Sequence, residues 1–125
     1  MTRMVQQLFE VCDNDASTVA FVREVFGRLG EKWPLRVLDE LAAGPQRFTA
    51  LEGALEGISH RVLTVTLRTL ETDGMITRTS YPEAPPRVEY EMTALGESFL
   101  SQTLALVAWA QNHRADITAH RQLVR

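Results

Sequence analysis

The chain contains one cysteine, so it cannot form an internal disulfide, and an intracellular, reducing compartment is predicted. It has no surplus of basic residues: 13 Lys and Arg stand against 16 Asp and Glu, a formal net charge of −3. That balance excludes a protein that coats nucleic acid indiscriminately. It still allows a locally basic surface that reads a short site. No segment reaches the roughly 20 apolar residues a membrane helix requires, and the opening MTRMVQQLFEVCDND has no apolar run of signal-peptide length. The expectation is a cytoplasmic protein with no membrane partner. Internal repeats and Gly/Ser- or Pro-rich linkers are missing as well. So are a nucleophile–base pair, a phosphate-cradling loop and zinc-ligand spacing, and neither enzyme activity, a metal nor a cofactor is expected.

What remains is 125 residues, 45% of them hydrophobic, enough for one domain with one core. Residues 4–12 read as a short amphipathic helix with Met4, Val5, Leu8, Phe9 and Cys12 on one side. A helix that short must dock on something. Asp13-Asn14-Asp15 breaks it. A second helix is predicted over 18–29, with Val19, Val22, Phe26 and Leu29 as its apolar stripe and Gly30 as its stop. Pro34 sits in the first turn of a third, which buries Leu35, Val37, Leu38 and Leu41 before Gly44-Pro45. Arg47-Phe48 is long enough only for a short edge strand. Thr49 and Glu52 then form a capping-box pattern opening a brief helix that stops at Gly57.

Residues 58–74, ISHRVLTVTLRTLETDG, organise the rest. Ser59 is an N-cap and Asp73-Gly74 a stop. Leu63, Leu67 and Leu70 make one apolar stripe. Arg61, Thr64, Val65 and Arg68 fall mainly on the opposite side, a face with two cations and no carboxylate. Such a face is either merely solvated or meets an anion. A short helix, a glycine turn and a longer helix with a polar outer face form a helix-turn-helix pattern. Period-two strands follow, over 75–81 and through Val88, Tyr90 and Met92, around the tip Pro82-Glu83-Ala84-Pro85-Pro86. This is a hairpin with a stiff end, a wing. Thr93 caps a last helix over 94 to about 119, with Leu95, Phe99, Leu106 and Trp109 on one side and Leu100, Leu104 and Val107 on another. Two apolar faces on one helix call for a second copy of the chain. The polar tail RADITAHRQLVR is expected to fray.

The predicted fold is therefore mainly α with a small β-hairpin, a winged helix-turn-helix with N- and C-terminal dimerisation helices. It divides into an arm over 1–17, a DNA-binding domain over 18–93 and a dimerisation helix with tail over 94–125. The segments GEKWPLRVLDEL, RFTALEGALEGISHRVLTVTLRTLETDGMITR and PPRVEYEMTALGESFL resemble the HxlR family of bacterial winged-helix regulators. The matching set is ordered: G-x-K-W, R-F, G-I-S with a leucine ladder, D-G, V-E-Y and T-x-x-G. The resemblance implies a homodimeric transcription factor on a double-stranded operator. Its recognition helix would enter the major groove, its wing would touch flanking backbone, and its terminal helices would pair. Members of the family sense electrophiles or oxidants through a cysteine, or small molecules, so an effector is also implied without its identity. Two departures stand out. The sensing cysteine of redox members lies about thirteen positions before the tryptophan of G-K-W, which here is Ala20, whereas Cys12 lies eight positions earlier. Glu31 stands where the family usually has a second glycine.

On this reading Ser59, His60, Arg61, Thr64 and Val65 reach the groove. Arg61 suits a bidentate pair to guanine, and Val65 or the Thr64 methyl a thymine methyl. Arg68 meets a phosphate. Arg87 is the wing's backbone contact; Arg78 either touches phosphate or braces the wing against an acid; Arg47 holds the short strand. Leu8, Phe9, Leu100, Leu104 and Val107 form the dimer interface. Trp33 and Trp109 read as packing residues, with a ligand pocket beside Trp109 as the alternative. Cys12 reads as a small hydrophobe, or as a redox centre; no base adjoins it, and Asp13 and Asp15 would hold its thiol protonated. His113, Asp116 and His120 share a helix face, but at a polar end where no supporting shell is evident. The alternative function is a winged-helix interaction or small-molecule-sensing module without sequence-specific DNA binding, which Glu52, Glu56 and Glu83 keep open.

Overall fold

A computed structural model of the protein describes residues 16–124. The expected helix over 4–12, with Leu8, Phe9 and Cys12, lies outside the described residues. The elements are α1 (Ala16–Gly30), α2 (Lys32–Leu41), β1 (Gln46–Arg47), α3 (Phe48–Ala54), α4 (His60–Thr72), β2 (Ile76–Tyr81), β3 (Arg87–Met92) and α5 (Ala94–Leu123). Among the described residues no helix is long and apolar enough to cross a membrane.

The core forms where the predicted stripes meet. Val37, Leu38 and Leu41 of α2, Leu51 of α3, Leu55, Leu63, Leu67 and Leu70 of α4, Met75, Ile76 and Leu100 are buried together. Each fully buried leucine contributes roughly 1.5–3 kcal/mol. The Leu63/Leu67/Leu70 stripe therefore holds α4 in place more firmly than the propensity of a helix containing six Thr and Val side chains would. Trp33, Phe48, Tyr90 and Met92 pack around the edge of this cluster.

The sheet has three strands in the order β1-β3-β2, all antiparallel. The edge strand is Gln46–Arg47, one residue earlier than expected, opposite Tyr90 and Glu89. The Gln46 side-chain amide anchors it by donating to the Glu40 carbonyl at 2.7 Å. That shift moves the start of α3. The helix opens at Phe48 with Arg47 at the cap position and no side-chain cap bond. Thr49 falls inside the first turn, so the expected capping box does not form.

Two further expectations are corrected. Phe26 does not join the stripe of α1; it is 59% exposed, while Val22, Val25 and Leu29 are half-buried. The tail does not fray at residue 119, because α5 runs 30 residues to Leu123. Its start is closely built. The Thr93 hydroxyl accepts from the Gly96 N–H at 3.1 Å and donates to the Gly74 carbonyl at 2.7 Å. Gly96 is packed so tightly that a Cβ there would overlap the Met75 carbonyl oxygen and crowd Met92. The T-x-x-G spacing thus joins the end of α4, the base of the hairpin and the start of α5.

Candidate nucleic-acid interface

The turn before α4 is set by one residue. Gly57 has φ +89°, a left-handed conformation that L side chains rarely adopt. The Ile58 N–H returns to the Leu55 carbonyl at 3.1 Å, and Ser59 follows in an extended conformation. Its hydroxyl accepts from the Val62 N–H at 3.1 Å, as a Ser N-cap does. The leucine stripe is buried beneath, so the other side of α4 is presented outward.

On that outward side Arg61 and Arg68 are exposed, Val65 is 54% exposed and Thr64 is half-buried. Neither arginine side chain has an acid partner among the described residues. The Thr64 hydroxyl donates to the His60 carbonyl at 2.8 Å, which uses its proton and leaves its oxygen lone pairs for an outside donor. Val62, which the apolar spacing did not single out, is also partly on this surface at 38% exposure. Ser59 and His60 are exposed beside them. Five of the expected reading residues and Arg68 therefore occupy one helix and its cap.

His60 carries a contact that the sequence reading missed. Its Nδ1 lies 3.5 Å from a Glu52 carboxylate oxygen, and its ring tilts against Phe48 at 4.7 Å. Glu52 was expected to fold back on Thr49. With α3 starting one residue earlier, it faces His60 instead. An acidic group of α3 thus stands at the first turn of α4, and a protonated imidazole would neutralise it.

The hairpin treats its two arginines differently. Arg87 sits between Glu89, at 2.7 Å, and Glu83, at 3.1 Å, with its guanidinium 4.0 Å over the Tyr81 ring. Its Nε is covered and has no hydrogen-bond partner among the described residues. Burial pulls the guanidinium's pKa down, the charges of Glu83 and Glu89 and their hydrogen bonds pull it up by more, and it ends above its ordinary value. Arg78 is exposed, and among the described residues its one hydrogen bond is a long 3.4 Å donation to the Ser80 hydroxyl. The cation expected to make the wing's backbone contact is therefore engaged with acids, and of the two expectations for Arg78 the bracing acid is not found among the described residues. Arg47 is exposed on β1.

Away from this face, α5 leaves the body of the molecule. Leu100 is only 7% exposed and belongs to the core of its own chain, not to a surplus face. Leu104, Leu106, Val107 and Trp109 beyond it are 53%, 49%, 44% and 53% exposed. A cavity of about 580 Å³ lies between α1 and α5, walled by Phe21, Phe26, Leu29, Leu95, Phe99 and Leu106. At its edge Arg28 of α1 binds Asp73, the C-cap of α4, at 3.1 Å. Trp109 stacks on His113 at 4.7 Å, and His113 Nδ1 lies 2.7 Å from the Trp109 carbonyl, which can only accept. Among the described residues no group of three or more His, Cys, Asp and Glu side chains is placed to hold a metal ion.

The arrangement matches known proteins over most of its length. The family described as HxlR-like helix-turn-helix matches residues 28–118. The HTH-type transcriptional regulator YtfH of Escherichia coli (strain K12) is 35% identical over 99 residues, 79% of each chain. Among solved structures, a transcriptional regulator of the MarR family from Enterococcus faecalis V583 superposes with a TM-score of 0.70 at 35% identity, covering 85% of this chain and 94% of that one. The reduced form of the transcriptional regulator YodB from B. subtilis gives 0.65 at 30% identity, covering 70% and 86%.

Proposed function

Because this chain belongs to the HxlR-like helix-turn-helix family, and is with its relatives a DNA-binding transcriptional regulator, we propose that it works as a homodimer on a pseudo-palindromic operator, with α4 in the major groove. One observation carries the reading. The outward side of α4 offers Arg61, Thr64, Val65 and Arg68 without a carboxylate of its own, and both arginines lack an acid partner among the described residues. A guanidinium two residues past the cap is a fork suited to guanine O6 and N7. Arg68, farther along, suits a phosphate.

The dimer is proposed through the exposed part of α5, at Leu104 and Val107, together with the arm that carries Leu8 and Phe9. A two-fold dimer places its half-sites about one or two helical turns apart. The division into arm, DNA-binding domain and dimerisation helix at residues 17 and 93 goes with this proposal, as do a cytoplasmic location and the lack of enzyme activity. A small-molecule effector fits the α1–α5 cavity, whose size is that of ligand pockets in general.

The test is a duplex selected from a random pool, compared with scrambled DNA by fluorescence anisotropy. Arg61→Ala should lose about 1–3 kcal/mol per half-site on the selected duplex and relax preference at one base pair. Binding to scrambled DNA should change far less. Equal loss on both duplexes would show that Arg61 grips backbone and that the reading residues lie elsewhere.

A further inference from the structure

The ladder register sorts the hairpin's side chains onto two faces. Ile76 stands opposite Met92, Arg78 opposite Tyr90 and Ser80 opposite Val88. Directly opposed residues share a face, and residues two apart stay on it. Ile76 is buried, and Tyr90 and Met92 pack on the core, so this is the face turned toward the helices. β2 packs against α4 there. Arg78 therefore lies on the side of the hairpin shared with the recognition helix, past the point where the core ends. Tyr81 stands opposite Arg87, and Thr79 opposite Glu89, on the other face.

We propose that Arg87 is a positioning residue that locks the wing, and that Arg78 is the wing's phosphate contact. The proposal rests on the reading that the hairpin meets DNA beside α4. Arg87 ties three places together: Glu83 in the proline tip, Glu89 on its own strand and Tyr81 on the facing strand. A guanidinium shared by two carboxylates at 2.7 and 3.1 Å has little charge left to offer a phosphate, and engaging one would require giving up those acids. Its two acids also need it. Without Arg87, Glu83 and Glu89 would stand unneutralised on an element that approaches a polyanion. Arg78 has neither constraint: it is exposed, and its hydroxyl contact is long enough to give way.

Two measurements separate the roles. In a salt series, Arg78→Ala should reduce the slope of log K against log salt by about 0.9 per engaged wing and weaken selected and scrambled duplexes alike. Arg87→Ala should weaken binding while leaving that slope nearly as in the parent. Hydrogen exchange of the amides in residues 77–91 should accelerate in Arg87→Ala and stay unchanged in Arg78→Ala. Arg87→Lys discriminates further. A lysine keeps the charge a phosphate contact needs, but cannot fork to two carboxylates while stacking on a ring. It should therefore behave like Arg87→Ala in exchange. A slope drop in Arg87→Ala with hairpin exchange unchanged, or an unaltered slope in Arg78→Ala, would overturn the assignment. If the parent binds no duplex at low salt, the DNA reading fails while the exchange result still decides the clamp.

Discussion

Replacing Gly96 by alanine isolates the junction at the start of α5. In an ordinary helix the change stabilises by about 1 kcal/mol, because alanine is the better helix former. Here the new methyl would meet the Met75 backbone carbonyl, with Met92 Cγ at 3.0 Å on the other side. Backbone cannot swing aside as a side chain can. Overpacking of this kind costs about 1–3 kcal/mol, occasionally more. The same carbonyl accepts the Thr93 N–H at 3.0 Å, so moving it loosens a bond with a net worth of about 0.5–1.5 kcal/mol. Shifting α5 instead disturbs the Thr93 cap, at about 1 kcal/mol. The helix-propensity gain offsets about 1 kcal/mol of this, leaving a net destabilisation of roughly 1–3 kcal/mol. For a chain of this size that lowers Tm by about 4–12 °C, read by thermal denaturation followed by circular dichroism at fixed protein concentration. Gly53→Ala is the internal control. Nothing lies within 4 Å of a Cβ at that position, and the same substitution should stabilise by about 0.5 kcal/mol. If Gly96→Ala matches Gly53→Ala, or raises Tm, the close approach of α5 to Met75 is not what the T-x-x-G spacing serves.

Leu104→Glu puts a charge in the middle of the exposed apolar stretch of α5 and should shift the protein from dimer toward monomer at micromolar concentration in sedimentation velocity; a dimer of unchanged strength would remove Leu104 from the interface. Cys12→Ser should bind the selected duplex like the parent, since acidic neighbours disfavour a thiolate at Cys12. Release of the parent by diamide that reverses with a thiol and vanishes in Cys12→Ser would overturn that expectation.

The helix order, the leucine stripe, the Ser59 cap and the Gly74 stop were legible because each rests on contacts within one or two turns. Ser59 and Val62, or Thr93 and Gly96, are three residues apart, and spacing alone specifies the bond. Errors arose where a partner comes from elsewhere in the chain. Glu52 was assigned to Thr49, but the pairing of β1 with β3 moved the helix start and left the carboxylate facing His60. Leu100 and Leu104 have the same chemistry. Only the position of Met75 and the core decides that the first is inside and the second outside. The surroundings of Arg87 have the same origin: Glu83, Glu89 and Tyr81 close on it only in the folded hairpin. The ladder register puts Arg78 and Arg87 on opposite faces, but which face looks toward α4 depends on the sheet's packing, and a local pattern does not contain it.

The double bond arrangement at Thr93 has a consequence for how such a protein changes over time. The hairpin leaves the body at Gly74-Met75 and returns at Thr93, and those points are tied by Thr93 Oγ1 to the Gly74 carbonyl and Thr93 N to the Met75 carbonyl. Everything in between is an excursion closed at its root. Residues inserted at the tip beside the Glu83–Arg87 pair load neither α4 nor α5, and doubling a loop's length costs only about 0.6 kcal/mol of closure entropy. The span of the wing is thus an interchangeable part. Its reach is free to lengthen or shorten from one descendant to the next, while α4 and α5 keep their places.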